Sequence, residues 1–173
     1  ASTTAFGATT AGSMSVTSTG AVSQTGAIST GAATLNAGAN SIDLTTNGAA
    51  NNFTGAVSLN NSGANSVTVT DANALVLGAS SVGSGTLDVT AVGLTQTGAL
   101  TQAASAGAAT FNGGAGVITL TQANNFTGTL NANNSGGNAL QLAGANSLTL
   151  GVVTAAGAGD ATVISTAGSF LDG

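Results

Sequence analysis

The sequence predicts an all-β protein, a parallel β-solenoid of about eight or nine coils with no helix. Three observations lead to this fold class. Aliphatic residues alternate with small polar residues in short runs, turns rich in Gly and Asn separate these runs, and a long stretch of sequence occurs twice. Together they favour stacked coils over a globular layered domain.

The aliphatic residues occur in pairs two positions apart, which is the period of a β-strand. The two members of each pair face one side, and the small polar residue between them faces the other. The pairs are Ile42 and Leu44, Val57 and Leu59, Val67 and Val69, Leu75 and Leu77, Leu87 and Val89, Ile118 and Leu120, Leu140 and Leu142, and Leu148 and Leu150. We therefore predict strands of about four or five residues.

The segments between these runs are typical of tight turns. NAGAN, NNSGAN, GSG, GAGV and NNSGGN combine Gly and Asn, the residues that most readily adopt positive φ angles. Gly recurs every few residues, and no 3.6-residue apolar period persists for three turns, so helix is not expected.

The repeated stretch is best seen in ANNFTGAVSLNNSGA at 50–64 and ANNFTGTLNANNSGG at 123–137. Neighbouring segments match at offsets of 72 to 76 residues, for example AVSQTGAI at 21–28 with GLTQTGAL at 93–100. We predict one solenoid domain over 1–173, made of two long repeats at about 22–93 and 94–168. Coils of roughly 18 to 22 residues would fit about four to a long repeat and give a rod about 40 Å long.

Several residues hold matching places in the two repeats. Asn52 matches Asn125, and two more pairs are Asn61 with Asn134 and Asn65 with Asn138. Their amides could satisfy backbone groups in turns or stack as ladders, or Asn could be present only because it tolerates turn geometry. Phe53 and Phe126 also match, and we expect both to fill a corner of the core.

Composition excludes several functions. The chain has no Lys, Arg or His and a net charge of −5, so it offers nothing to neutralise phosphates, and nucleic-acid partners are not expected. No run is long enough for a membrane-spanning helix, and the missing Trp and Tyr argue against a membrane barrel, so no membrane insertion is expected. Cys is absent, which removes disulfides and thiolate metal sites.

The segment NNFTGAVSLNNSGANSVTVTDANALVLGASSVGSGTLDVTAVGLTQTGALTQ resembles the repeat region of large secreted bacterial surface exoproteins of the filamentous haemagglutinin type and related autotransporter passengers. The resemblance extends from about Val22 to about Gly168. It implies a right-handed parallel β-helix that is secreted and forms a stiff stalk on the bacterial cell surface.

We predict no catalytic, cofactor-binding or metal-binding residues. The five acids, Asp43, Asp71, Asp88, Asp160 and Asp172, have no cationic or imidazole partner to tune their pKa. Asp43 and Asp88 stand between paired aliphatics and should face solvent. GAGDATV at 157–163 approaches a calcium-binding β-roll motif, but its Asp is misplaced by one position and the motif is not iterated.

Two further motifs concern binding and modification. An ice-binding face would need Thr pairs on successive coils, yet Thr68 and Thr70 match Gln141 and Ala143 in the second repeat. The segments starting at Asn52 and Asn125 fit the N-glycosylation pattern, which turn composition alone also produces.

Every solenoid exposes unpaired strand edges at its ends, and soluble ones protect them with Lys, Pro or a helix. This chain has no Lys and no Pro. We therefore expect the edges to be used, by further covalent repeats or by copies stacking end to end, with the chain itself as partner. The predicted function is a structural fibre, adhesin stalk or sheath; the alternative is a binding module for a glycan, ice or a host surface.

Overall fold

The structure, a computed structural model, describes residues 2–157 and 159–172; the side chain of Asp172 lies outside the described part. It is a parallel β-solenoid of about eight turns, as predicted. Every strand pairing among the described residues is parallel, and each strand pairs with others about one coil earlier or later in the chain.

Nine strands stack into one sheet, which we call sheet A. In stacking order they are β1 (Thr4–Phe6), β3 (Val22–Gln24), β5 (Ile42–Leu44), β8 (Val67–Thr70), β11 (Leu87–Thr90), β14 (Ala109–Gly114), β16 (Thr129–Asn134), β18 (Leu148–Ala155) and β20 (Phe170–Asp172).

Eleven strands form the second sheet, sheet B, which covers the rest of each coil. They are β2 (Thr9–Thr17), β4 (Ile28–Asn36), β6 (Asn52–Phe53), β7 (Ala56–Asn60), β9 (Leu75–Leu77), β10 (Ser80–Val82), β12 (Leu94–Gln96), β13 (Leu100–Gln102), β15 (Ile118–Asn124), β17 (Leu140–Gly144) and β19 (Ala161–Ser165). β4 pairs with both β6 and β7, so it runs along two sides of the coil.

Most coils are of the predicted size, and two are longer: Leu94 and Ile118 are register partners 24 residues apart, and the other long coil is the longest. Register partners Thr4 and Val22 set the shortest coil at 18 residues, and Ile42 and Val67 set the longest at 25. The extra residues of the longest coil include a 3₁₀ turn at Gly48–Ala50, which is the single helical segment among the described residues. No α-helix occurs in this part of the chain, and none of its helical segments is long and apolar enough to cross a membrane.

The core is a narrow column of aliphatic side chains between the two sheets. In the pairs predicted from alternation, all residues are buried except Leu150, which is partly buried. Phe53 and Phe126 are 1% and 2% exposed, which confirms their place in the core. Phe126 also packs edge-to-face on Phe111, with ring centroids 5.7 Å apart.

Glycines let neighbouring coils approach closely at the corners. A Cβ added at Gly83 would collide with the carbonyl oxygen of Gly63 one coil below, and a Cβ at Gly128 with that of Gly107. Gly therefore recurs at these turns because the backbone of the next coil occupies the space of a side chain.

The two long repeats do not stack in the way that the sequence suggested. Val22–Gln24 lies in sheet A, whereas its match, Leu94–Gln96, lies in sheet B. The same exchange holds for Ile42–Leu44 (sheet A) and Ile118–Leu120 (sheet B). The expectation of about four coils per long repeat is therefore wrong. An offset of about 73 residues corresponds to about three and a half coils, so matching segments lie on opposite sheets.

Candidate functional site

The most elaborate polar arrangement in the structure is a buried pair of amides. Gln24 ends β3, and Asn51 precedes β6 in the next coil. Gln24 Nε2 donates to Asn51 Oδ1 at 3.0 Å, and Asn51 Nδ2 donates back to Gln24 Oε1 at 2.9 Å. Both side chains are buried, at 3% and 0% exposure.

The pair also binds backbone groups of the neighbouring coils. Asn51 Oδ1 accepts from the N–H of Ile28 at 2.8 Å, and Asn51 Nδ2 donates to the carbonyl of Thr70 at 2.9 Å. Gln24 Nε2 donates to the carbonyl of Gly26 at 3.0 Å. One amide pair thus ties three successive coils together, and each polar atom of the two amide side chains has a partner.

The second repeat contains the same arrangement. Gln96 and Asn124 exchange two amide hydrogen bonds of 2.9 Å, and Asn124 Oδ1 accepts from the N–H of Leu100. Asn124 Nδ2 donates to the carbonyl of Ala143 at 3.0 Å, as Asn51 Nδ2 does to the carbonyl of Thr70. We call these two pairs the amide clamps. They fix the register between coils, because shifting a β-strand by one residue would leave the buried amides without hydrogen-bond partners.

Sequence reasoning missed the clamps. It selected Asn52 and Asn125, which are the following residues, and it left Gln24 and Gln96 without a role. The available signal was the shared segment QTGA in both repeats together with a doubled Asn about 27 residues later.

The other matched Asn pairs satisfy turn backbone groups, one of the alternatives left open by the sequence. Asn61 Nδ2 donates to the carbonyls of Asn40 and Asn65 at 3.0 and 2.9 Å. Asn134 Nδ2 donates to the carbonyl of Asn138 at 3.0 Å, and its Oδ1 accepts from the N–H of Gly136 at 2.9 Å. These side chains replace strand hydrogen bonds where the chain turns.

The structure places the aspartates on separate coils. Asp43 and Asp88 face outward from sheet A, as predicted, with Thr68 between them in the same column. Partial desolvation raises the pKa of Asp88. Asp160 lies in the turn before β19, and Ala158 of the GAGDATV segment lies outside the described residues. No cluster of three or more potential metal ligands occurs in the part of the chain that the structure describes.

Asp71, unlike the outward-facing Asp43 and Asp88, is buried, with 3% of its surface exposed. Oδ2 accepts from the N–H of Phe53 at 2.9 Å, and Oδ1 accepts from the N–H of Asn73 at 3.0 Å. Burial raises the pKa of this carboxyl, although its backbone hydrogen bonds oppose the shift. β6 pairs with β4 on one side, and Asp71 binds its other edge, where no strand among the described residues pairs with it. In the second repeat the residue that matches Asp71 is Gly144.

A groove begins beside Asp71 and runs along the corner where sheet A turns into sheet B. Its volume is about 420 Å³. Residues of five successive coils line the groove, and all except Asp71 are uncharged. The uncharged lining residues are Ala49, Thr70, Ala72, Thr90, Ala91, Val92, Asn112, Gly114, Asn133 and Ser135. Asp71 is the charged residue of this lining, and each of its carboxylate oxygens accepts a hydrogen bond from the backbone.

The outward Thr residues do not form a regular array. Gln141, which matched Thr68 in sequence, lies on the opposite sheet. The coil neighbours of Thr68 are Asp43 and Asp88, so Thr alternates with Asp along this column. The matched positions compared in the sequence were therefore not neighbours on one face.

Fold and polar sites together define a class of protein, a β-solenoid repeat protein held in register by buried amides. A family model described as "Repeats of unknown function (DUF5649)" matches residues 1–60 and 64–133, well over half of the chain. The chain belongs to this family. No curated protein and no solved structure matches it.

Proposed function

We propose that this chain is a structural segment, the shaft or subunit of an extracellular bacterial fibre, adhesin stalk or sheath. The observation that supports this most directly is the unbroken sheet A, in which nine parallel strands stack along one axis. Backbone hydrogen bonds then run along the rod, and stretching it would require many of them to break together.

The open ends of the stack support a role in a longer assembly. β1 pairs with β3 alone and β20 with β18 alone, so each has one unpaired edge within the described residues. Phe170 and Leu171 at one end are each 51% exposed. In the proposed fibre, strands of further repeats or of another copy would pair with these edges.

We propose no catalytic role. The outward carboxylates of Asp43 and Asp88 lie on different coils, and the buried Asp71 uses both oxygens to bind backbone N–H groups. The bacterial cell surface remains the location that we propose, on the resemblance described above. A surface glycan is the partner expected of the alternative, a binding module, and the corner groove would be its site.

Electron microscopy of the purified chain tests the structural role. We expect unbranched filaments of one coil width that are much longer than a single rod of about 40 Å, with a strand spacing of ~4.8 Å along the axis. Val163→Lys places a charge on the inward face of the last sheet B strand and should shorten the filaments, whereas Thr162→Lys on the outward face should not. Dispersed short rods that bind a neutral glycan or ice would contradict the proposal and favour the binding module.

A further inference from the structure

Four segments of the chain have the Asn-X-Ser/Thr pattern of an acceptor for N-linked sugars, and we call them sequons. They lie at 52–54, 60–62, 125–127 and 133–135, two in each long repeat. A composition rich in Asn, Ser and Thr produces such matches on its own. The evidence for their use is therefore the placement of their side chains in the solenoid.

In each sequon the middle residue is buried and its two neighbours face outward. Asn133 is exposed, the other three sequon Asn are half-buried, and the Ser or Thr of every sequon is exposed. The buried middle residues are Phe53, Asn61, Phe126 and Asn134. Because alternate residues of a strand share a face, the amide and the hydroxyl of each sequon project from the rod together.

Each sequon Asn belongs to an Asn doublet whose two members have different roles. The doublets are 51–52, 60–61, 124–125 and 133–134. The other member of each doublet is buried and donates from Nδ2 to a backbone carbonyl; these are Asn51, Asn61, Asn124 and Asn134. In every doublet the Asn that faces outward is the one followed two residues later by a hydroxyl.

The amide nitrogens of the sequon Asn residues are not used by the fold. Asn60 Oδ1 accepts from the N–H of Ser81 at 3.3 Å, which directs its Nδ2 away from that strand. Asn125 Oδ1 accepts from Asn146 Nδ2, and Asn52 Oδ1 likewise accepts from a neighbouring amide. In the described part of the chain no sequon Asn donates from Nδ2 to another protein group. A sugar on this nitrogen therefore breaks no hydrogen bond of the solenoid.

We propose that the chain is N-glycosylated at Asn52, Asn60, Asn125 and Asn133. The co-substrate is a sugar activated as its diphosphate ester, and a separate transferase delivers it. An N–H bond of Nδ2 is exchanged for an N–C bond to the anomeric carbon of the sugar. The C–O bond to the diphosphate breaks, the diphosphate leaves with that electron pair, and the amide proton passes to a base of the transferase.

The positions of the four sites leave room for a sugar on each. Asn60, Ser81, Thr101 and Asn125 are successive register partners in one outward column. Three coil spacings of ~4.8 Å therefore place Asn60 and Asn125 about 14 Å apart. Asn133 lies on sheet A, whereas Asn52 and Asn60 lie on sheet B, so the sugars project from both sheets of the rod.

Sugars would supply a hydration that the side chains of this rod provide only sparsely. The chain has five acidic residues and no Lys or Arg, so charge contributes little to keeping neighbouring rods apart. N-linked sugars are bulky, neutral and strongly hydrated groups on a protein surface. This modification is compatible with the proposed fibre and does not depend on it.

Mass spectrometry of the chain recovered from the organism that produces it tests the proposal. Elastase peptides, fragmented by electron transfer so that sugars stay attached, should have a sugar on the sequon Asn and none on the buried member of each doublet. Asn36 is a matched control, since it is half-buried and neighbours Asn60 in the same column but is followed by Ala37 and Gly38. Four unmodified sequons, or a sugar on Asn36, would overturn the proposal.

Two substitutions at Ser62 test whether the acceptor pattern decides the modification. The side chain of Ser62 is exposed, and its backbone N–H, which binds the carbonyl of Gly38, is kept in both variants. Ser62→Ala, made in the same organism, should lose the sugar on Asn60 and keep the other three, and Ser62→Thr should keep all four. A sugar that persists on Asn60 in Ser62→Ala would contradict transfer to a sequon.

Chemical attachment of a sugar tests the outward placement separately. The chain has no native Cys, so a thiol-reactive glucose derivative can modify an introduced Cys alone. Asn133→Cys should react completely in the folded chain without lowering its melting temperature, whereas Asn134→Cys should react only after unfolding in urea. An Asn133→Cys chain that reacts only in urea would show that this site cannot hold a sugar in the solenoid.

Discussion

Gln24 and Asn51, 27 positions apart in the chain, donate to and accept from each other through their side-chain amides in the core of the solenoid. Gln96 and Asn124 do the same about three and a half coils further along, where Gln96 lies on sheet B and not, like Gln24, on sheet A. A protein built of Ala, Gly, Ser, Thr and Asn has few large side chains with which to specify a unique packing. The amide clamps provide that specificity, because each has partners in one register only.

Removal of the clamp residue Asn51 should lower the free energy of unfolding far more than removal of the adjacent Asn52. Asn51→Ala leaves Gln24, the N–H of Ile28 and the carbonyl of Thr70 without their partner, and we expect a loss of about 3 kcal/mol or more in the free energy of unfolding. Asn52→Ala removes one exposed hydrogen bond from Asn73 and should cost less than about 1 kcal/mol. Urea denaturation of both variants measures the difference, and equal losses would show that the clamp has no special role.

Stability should rise, not fall, as the solution is made acidic. The folded chain binds a proton at Asp71 more tightly than the unfolded chain does, because burial raises the pKa of this carboxyl above its ordinary 3.8. The free energy of unfolding should therefore increase as the pH falls through the folded-state pKa of Asp71 and level off below 3.8.

The same pH series on Asp71→Asn provides the control. This variant should lose most of the pH dependence, and Asp88→Asn should remove a smaller part, since the raised pKa of Asp88 acts with the same sign. Acid denaturation of the wild-type chain over this range would show that the assignment to Asp71 is wrong. Lys, Arg and His are absent, so no side-chain ion pair can be lost on acidification.

The close approach of coils at Gly128 should make this residue intolerant of a side chain. Gly128→Ala would drive a Cβ into the carbonyl oxygen of Gly107, and we expect a loss of roughly 2 kcal/mol or more from the forced shift of backbone. Gly12→Ala has nothing within 4 Å of the added atom and should be neutral or slightly stabilising. Thermal unfolding of the Gly128→Ala and Gly12→Ala variants measures the two effects on stability. Similar melting temperatures for both would contradict the packing described at Gly128.

Trypsin should leave the chain intact even when it is unfolded. Trypsin cleaves after Lys or Arg, and the chain contains neither. Digestion in a urea concentration that unfolds the chain but leaves the protease active should give one undegraded band. Elastase, which cleaves after small residues, should degrade the same sample, and this control shows that the chain is accessible.

Much of the fold could be predicted from local pattern. The aliphatic pairs from Ile42 to Leu148 are buried as alternation requires, since alternate residues on a strand face the same side. Phe53 and Phe126 occupy the core, and Asn61 and Asn134 bind turn backbone, because these roles depend on a few neighbouring residues. Outward-facing Asp43 and Asp88 follow from the same period.

The polar interior could not be predicted in the same way. Asn51 and its neighbour Asn52 are the same residue type, yet one is fully buried and the other is half-buried. Asp71 resembles a surface turn residue in sequence, but it lies against the end of β6 and binds the N–H of Phe53 from the coil below. These roles depend on which coil lies above, and that information is not local.

Short alternating strands, glycine and asparagine turns, and two long repeats were enough to predict stacked coils. The packed coils were needed to show that a repeat spans about three and a half of them, so that matching segments exchange sheets and the buried amides meet. This difference arises because strand period and turn chemistry are local properties of the chain. The number of residues needed to close one coil depends instead on every turn and on the packing between coils.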